Sequence, residues 1–170
     1  QGGHVGVGPR SVLEEIRMLS NNHVFADENR GKAGDAIIQP GDVDKGKNPA
    51  DRIGALAEFR RLSKTKPNHI DAALATIDAA IDYKRKALPG HGQLKGILSD
   101  PAHISGAVEK IGRTTGHTKG RITAFEVNHL IVNYDMGNLR FDDQIEIEGV
   151  GPRSFSDGGD SGSIIYTTGD

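Results

Sequence analysis

Apolar residues along this chain come in short runs separated by polar and glycine-rich stretches. Over 144–148 (QIEIE) they alternate strictly with polar residues, so a strand there puts Ile145 and Ile147 on one face. The run 121–134 (RITAFEVNHLIVNY) is rich in β-branched and aromatic side chains, which suit a pleated, half-buried surface. Another short strand is expected over 163–166 (SIIY), after a glycine turn. Earlier in the chain the pattern is less decisive. Residues 11–19 have helical spacing at Val12, Ile16 and Leu19, but also fit a strand leading into 20–26. Residues 52–62 fit either state. The segment 70–82 (IDAALATIDAAID) has enough alanine to favour a helix on propensity, while Leu74 and its neighbours equally suit a short buried strand.

Turn residues divide these runs. Residues 27–51 read as a loop carrying Asp27, Asn29, Gly31, Gly34, Pro40, Gly41, Gly46 and Pro49, with Ile37–Ile38 as a short strand inside it. Residues 84–106 read as a surface loop, with Pro89, Gly90, Gly92, Pro101 and Gly106. The whole leans towards an all-β chain with no linker that splits it cleanly; a pair of lobes, 1–83 and 107–170, would place the divide in 84–106. The hexapeptide GVGPRS occurs at 6–11 and again at 149–154, and reads as two similar glycine–proline turns.

Composition narrows the chemistry. With 170 residues, 35% of them hydrophobic, the chain suffices for one large domain or two small lobes. A net charge of −2 with mixed signs gives no basic stripe for nucleic acid. There is no cysteine, which excludes disulfides, a thiol nucleophile and Cys-ligated metal, and is compatible with a reducing, cytoplasmic compartment. No apolar run approaches the ~20 residues of a membrane-spanning helix, so no membrane partner is expected. No signal peptide is visible, and a start at Gln1 reads as a processed or trimmed end.

One candidate centre is Gly159-Asp160-Ser161-Gly162. A serine hydroxyl is a poor nucleophile until a base takes its proton, and acyl transfer also needs N–H donors aimed at the developing oxyanion. Flanking glycines allow the tight turn that exposes such donors. Among seven histidines, His23 stands out, because Leu19-Ser20-Asn21-Asn22 leads to it as an apolar approach followed by a polar turn. His4, His69, His91, His103 and His117 read as loop histidines, and His129 as a strand-face residue. Neither HxxxH nor HExxH occurs, so no metal site is expected. A carboxylate must orient the base. Asp71, followed by small apolar residues, is the first candidate and Asp78 the fallback; singly, either also fits a helix N-cap or an exposed acid.

Taken together, the contexts LSNNHV, DAALA and GDSGS, in the order His, Asp, Ser, resemble the trypsin-like family of serine proteases. The stretch Lys110 to Gly120, with GRTTG at 112–116, is similar to the segment that opens the second barrel in bacterial members. Glu28-Asn29 to Gln39-Pro40-Gly41 is similar to the loop after the histidine in a bacterial subgroup. The resemblance covers roughly residues 19–166. It implies two six-stranded antiparallel β-barrels with the site between them, His23 as general base, Asp71 fixing its tautomer and Ser161 as nucleophile. It further implies an oxyanion hole from the N–H groups of Gly159 and Ser161. Asp160 becomes a structural support, expected to pair with Arg113. Phe155, Ser156 and Gly158 are expected to border the primary specificity pocket, where Phe155 replaces the acid that would select Arg or Lys.

Two features depart from the family. Only nine residues follow Ser161 and only 22 precede His23, so missing segments, or another chain completing the barrels, are expected. The sequence therefore favours an endopeptidase acting on protein or peptide substrates without a cofactor. The alternative is an inactive or partner-activated protease-like domain used for binding or regulation. An esterase of the α/β-hydrolase type is disfavoured by the residue order and the lack of G-x-S-x-G.

Overall fold

Residues 15–98 and 106–167 are described by the computed structural model. The first GVGPRS copy, His4 and His103 lie outside them. Nearly all regular structure is β. Strands β1 (Met18–Ser20), β2 (Ala36–Ile38), β3 (Arg52–Phe59) and β4 (Ala73–Ile77) form an antiparallel sheet in the order β1-β4-β3-β2. The alanine-rich segment is thus a strand, and the physical reason lies in its position. As β4 it is hydrogen-bonded on both edges, and Ala73 and Ala75 fall on one face at the two-residue period. Both are buried, packed with Leu56, Ile37 and Ala26. Small side chains let the sheet approach those larger neighbours, and this packing overrides helix propensity. The core thus rests on the two alanines that flank Leu74. The ambiguous 52–62 segment supplies β3.

The chain between 84 and 98 holds a small hairpin, β5 (Ala87–Leu88) and β6 (Gly92–Gln93). Beyond it, β7 (Ala107–Gly112), β8 (Gly116–Val127), β11 (Gln144–Gly149) and β12 (Ile165–Tyr166) form a second antiparallel sheet in the order β11-β8-β7-β12. The register between β8 and β11 slips around Glu146, which defeats the simple alternation expected there, and Ile145 ends exposed. The long β-rich run is broken at Asn128–His129. His129 has φ +61° and its N–H donates to Asp142, so it is a turn residue, not a strand-face one. The chain then forms a separate hairpin, β9 (Leu130–Tyr134) and β10 (Gly137–Phe141). Among the described residues each main sheet is open, with four strands, and one short helix, α1 (Asn22–Phe25), follows β1. No described helix is long and apolar enough to cross a membrane.

The β9–β10 hairpin is what ties the halves of the chain together. Leu139 and Phe141 bury against Leu62, with Val132, Tyr134 and Met136 around them. Asn68 exchanges backbone hydrogen bonds with this strand's end, its N–H to Arg140 O and its carbonyl from Asp142 N–H, both 2.9 Å. At the hairpin tip the Glu28 carboxylate accepts the N–H groups of Asp135 (2.8 Å) and Met136 (2.7 Å). Leu139 is fully buried, so Leu139→Ala is expected to cost about 2–5 kcal/mol, the range for truncating a packed core side chain, read as a lower urea midpoint.

Candidate active site

His23 sits in α1, a single helical turn held by its neighbours. Asn22 is fully buried, and its amide donates to Asn29 Oδ1 (2.9 Å) and to the Arg60 carbonyl (2.7 Å). Asn29 N–H returns a bond to Asn22 Oδ1 at 3.0 Å. Asn29 also spans to Leu62, accepting its N–H and donating to its carbonyl. Residues 27–29 all have positive φ, which bends the loop back so that these two amides can meet. The paired asparagines fix the backbone on which His23 is mounted.

Asp71, just before β4, reaches under this turn. Its Oδ1 accepts the N–H of Asn22 (2.6 Å) and of His23 (3.3 Å). Its Oδ2 lies 2.5 Å from His23 Nδ1 and accepts the Tyr134 hydroxyl at 2.9 Å. Burial pushes the Asp71 carboxyl up, but the hydrogen bonds from His23, Tyr134 and Asn22 outweigh it and hold it below the ordinary carboxylate value. An ionised carboxylate only accepts, so the imidazole proton belongs on Nδ1 and Nε2 presents a lone pair. Nε2 is 2.8 Å from Ser161 Oγ. The structure therefore brings His23, Asp71 and Ser161 into one hydrogen-bonded line across 138 residues of sequence. Asp78 is not part of it; that carboxylate pairs with Arg52 at 2.9 Å.

Ser161 is positioned by its neighbour. Asp160 is buried, and its carboxylate accepts Lys110 Nζ (2.9 Å), Thr115 Oγ1 (2.7 Å) and the N–H groups of Thr114 (2.8 Å), Thr115 (3.1 Å) and Asp157 (3.1 Å). Burial alone would raise the pKa of this carboxyl, yet Lys110, Thr115 and the backbone donors hold it far below the usual range. The expected Arg113–Asp160 pair is thereby corrected. Val108 and Lys110 share the inward face of β7 at the strand period, so Lys110 arrives beneath Asp160. Arg113, in the turn beyond, faces outward and its Nε bonds Asp44 at 2.6 Å, with a second contact between Nη2 and the same carboxylate. A Cβ on Gly112 would collide with the Asp160 carboxylate, so glycine there makes room for it.

Gly159 (φ +93°) and Gly162 (φ +84°) frame the serine in a conformation that L-residues rarely adopt. A Cβ on Gly159 would also run into Thr114 and Arg113, and one on Gly162 into Ser20 of β1. Phe155 is corrected as a pocket wall. It is buried, with Lys110 Nζ 5.6 Å from its ring centre and its carbonyl accepting Thr118 Oγ1 at 2.7 Å. Ser156 and Gly158 are exposed on the approach to Ser161. A cleft of about 450 Å³ does open beside His23 and Ser161, with Ile70, Leu130, Val132, His69 and Gln144 among its walls.

Sequence reasoning missed Tyr134, Lys110 and Glu28. Lys110 was within reach, because alternation along 107–112 places it on the same face as Val108. Tyr134 was not, since its hydroxyl meets Asp71 only through the docked hairpin.

Leaving a buried carboxylate unpaired is costly, so Lys110→Met is expected to lose about 3–5 kcal/mol at neutral pH. The folded pKa of Asp160 lies below its unfolded value, so the stabilisation is complete above about pH 4 and is lost as pH falls toward the folded value. The gap between wild type and Lys110→Met should therefore narrow below about pH 4, which denaturant titrations across pH will read.

No family model matches the chain, and no curated protein does. Among solved structures, it is similar to chymotrypsin of Cellulomonas bogoriensis, with 22% identity and a TM-score of 0.50. The superposition covers 87% of this chain and 63% of that one, so the chain spans less than two thirds of that enzyme's length. At this identity the likeness is one of fold: the described strands follow the all-β architecture of chymotrypsin.

Proposed function

We propose that this chain is a serine endopeptidase that cleaves peptide bonds through an acyl-enzyme. The observation that carries the reading is the Ser161–His23–Asp71 line, with contacts of 2.8 and 2.5 Å. The chymotrypsin fold adds weight to peptides as the substrate class.

Ser161 Oγ attacks the scissile carbonyl carbon while its proton passes to His23 Nε2. The imidazolium so formed is stabilised by Asp71, which stays ionised because its other donors compensate for burial. Negative charge gathers on the former carbonyl oxygen. The N–H groups of Gly159 and Ser161, which among the described residues have no intramolecular partner, are the donors offered to it. Losing one such donor typically costs ~10²–10³ in turnover. His23 then protonates the leaving amine, the acyl-enzyme remains, and water attacks it with His23 again accepting a proton.

The cleft favours an uncharged substrate side chain. Ile70, Leu130 and Val132 supply apolar walls, and the one carboxylate there, Asp71, is already committed to His23 and Tyr134. Ser156 and Gly158 are retained as the substrate-facing edge leading to Ser161.

Labelling with a fluorophosphonate probe, followed by intact mass, tests the reading. One adduct on the native chain and none on Ser161→Ala is expected. An unlabelled native protein would contradict an active site and favour the partner-activated or binding reading. Tyr134 is a positioning residue, acting through Asp71. Tyr134→Phe is expected to lower kcat about tenfold, the worth of one hydrogen bond to a charged group, with KM unchanged and the melting temperature nearly retained.

A further inference from the structure

We propose that His91, Glu109 and His117 bind a divalent transition-metal ion of the zinc type, which fastens the β5–β6 hairpin to the second sheet. The ligand atoms of these three side chains all lie within 4.8 Å of one another. They come from two separate pieces of chain. His91 is in the tight turn of the β5–β6 hairpin, its N–H bonded to Leu88 O. Glu109 lies on β7 opposite Lys119, and His117 lies on β8 opposite Ile111, so the two are diagonal neighbours two positions apart, which sets them on one face. The helical spacings sought in the sequence cannot reveal such a site, because a β-hairpin brings ligands together across strands.

The chemistry of the donor set selects the ion. Two imidazoles and one carboxylate suit Zn²⁺ and its neighbours, whereas Mg²⁺ and Ca²⁺ prefer oxygen ligands throughout. The imidazole rings of His91 and His117 lie 3.9 Å apart between centroids. His117 Nε2 and Glu109 Oε2 are 2.7 Å apart, joined by a proton. A metal with ligand distances of ~2.0–2.2 Å replaces that proton after the pair spreads by a fraction of an ångström. Lys119 holds the other carboxylate oxygen, Oε1, at 3.2 Å and leaves Oε2 for the ion.

A second observation points to the same carboxylate. Tyr166 of β12 stands directly opposite Glu109 in register, with its hydroxyl buried beside that carboxylate. A donor beside a ligating carboxylate is the usual outer support of a metal site.

The proposal does not depend on peptidase activity, and its test does not read it. Co²⁺ serves as the probe because a site of this kind gives visible d–d bands of tetrahedral intensity, titratable to one equivalent. The full chain is expected to show them, and Zn²⁺ to bleach them by displacement. His91→Ala, at an exposed turn outside the second sheet, is expected to abolish the bands without altering far-UV circular dichroism. It should weaken Zn²⁺ binding by more than the roughly 10–100-fold that disturbing an outer-sphere partner costs. His129→Ala should leave both unchanged. Bands absent from the native chain, or retained in His91→Ala, would overturn the site.

Discussion

Everything at the serine depends on a carboxylate placed where water cannot reach it. Asp160 is buried beside Lys110, and the two charges are tolerable together only because five donors converge on the carboxylate. That convergence fixes the residue immediately before Ser161, and so fixes the direction of the Oγ. It also recruits the β7–β8 turn through Thr114 and Thr115, so the turn and the serine loop are one unit. A buried ion pair adds little net stability over a well-packed apolar substitute, but it tolerates few alternative arrangements. For a hydroxyl that meets an imidazole within hydrogen-bonding distance, narrow geometry matters more than added stability.

His23 belongs to the other sheet, following β1, and the bridge between the two is the β9–β10 hairpin. It packs its apolar face on Leu62, is clamped at its tip by Glu28, and sends the Tyr134 hydroxyl to Asp71. Arg113 and Asp44 add a second, more exposed tie between the sheets. Asp71 thus collects hydrogen bonds from the helical turn that carries His23 and from a hairpin that follows the second sheet's first two strands. Its ionisation is the summed effect of contacts that exist only when all three segments are in place.

How much of this the sequence disclosed depended on the range of each interaction. The β-rich run after 121 and the short strand expected over 163–166 rest on local patterning, and strands stand there. The alanine-rich 70–82 segment resisted, because its state was decided by partners on both sides, β1 and β3, and by Leu56 across the core. His129 was misassigned for a local reason: residues of high β propensity flank a left-handed turn that propensity does not mark. Of the site, His23, Asp71 and Ser161 were legible through their motifs and order. The partner of Asp160 was mistaken because the motif drew attention to the turn, whereas the strand period placed Lys110 inside. Tyr134, Glu28 and the His91–Glu109–His117 cluster depend on long-range docking, and no local pattern announces them.

The route from Tyr134 to Asp71 bears on how the candidate site responds to heat. Short hairpins held by one small apolar cluster belong to the parts of a protein that open at lower free-energy cost than the whole. When β9–β10 lifts away, Asp71 loses a donor and gains solvent while both main sheets remain paired. Loss of the Tyr134–Asp71 contact and global melting are then two separate events, and the His23–Asp71 arrangement persists only as long as a twelve-residue segment, 130–141, adheres.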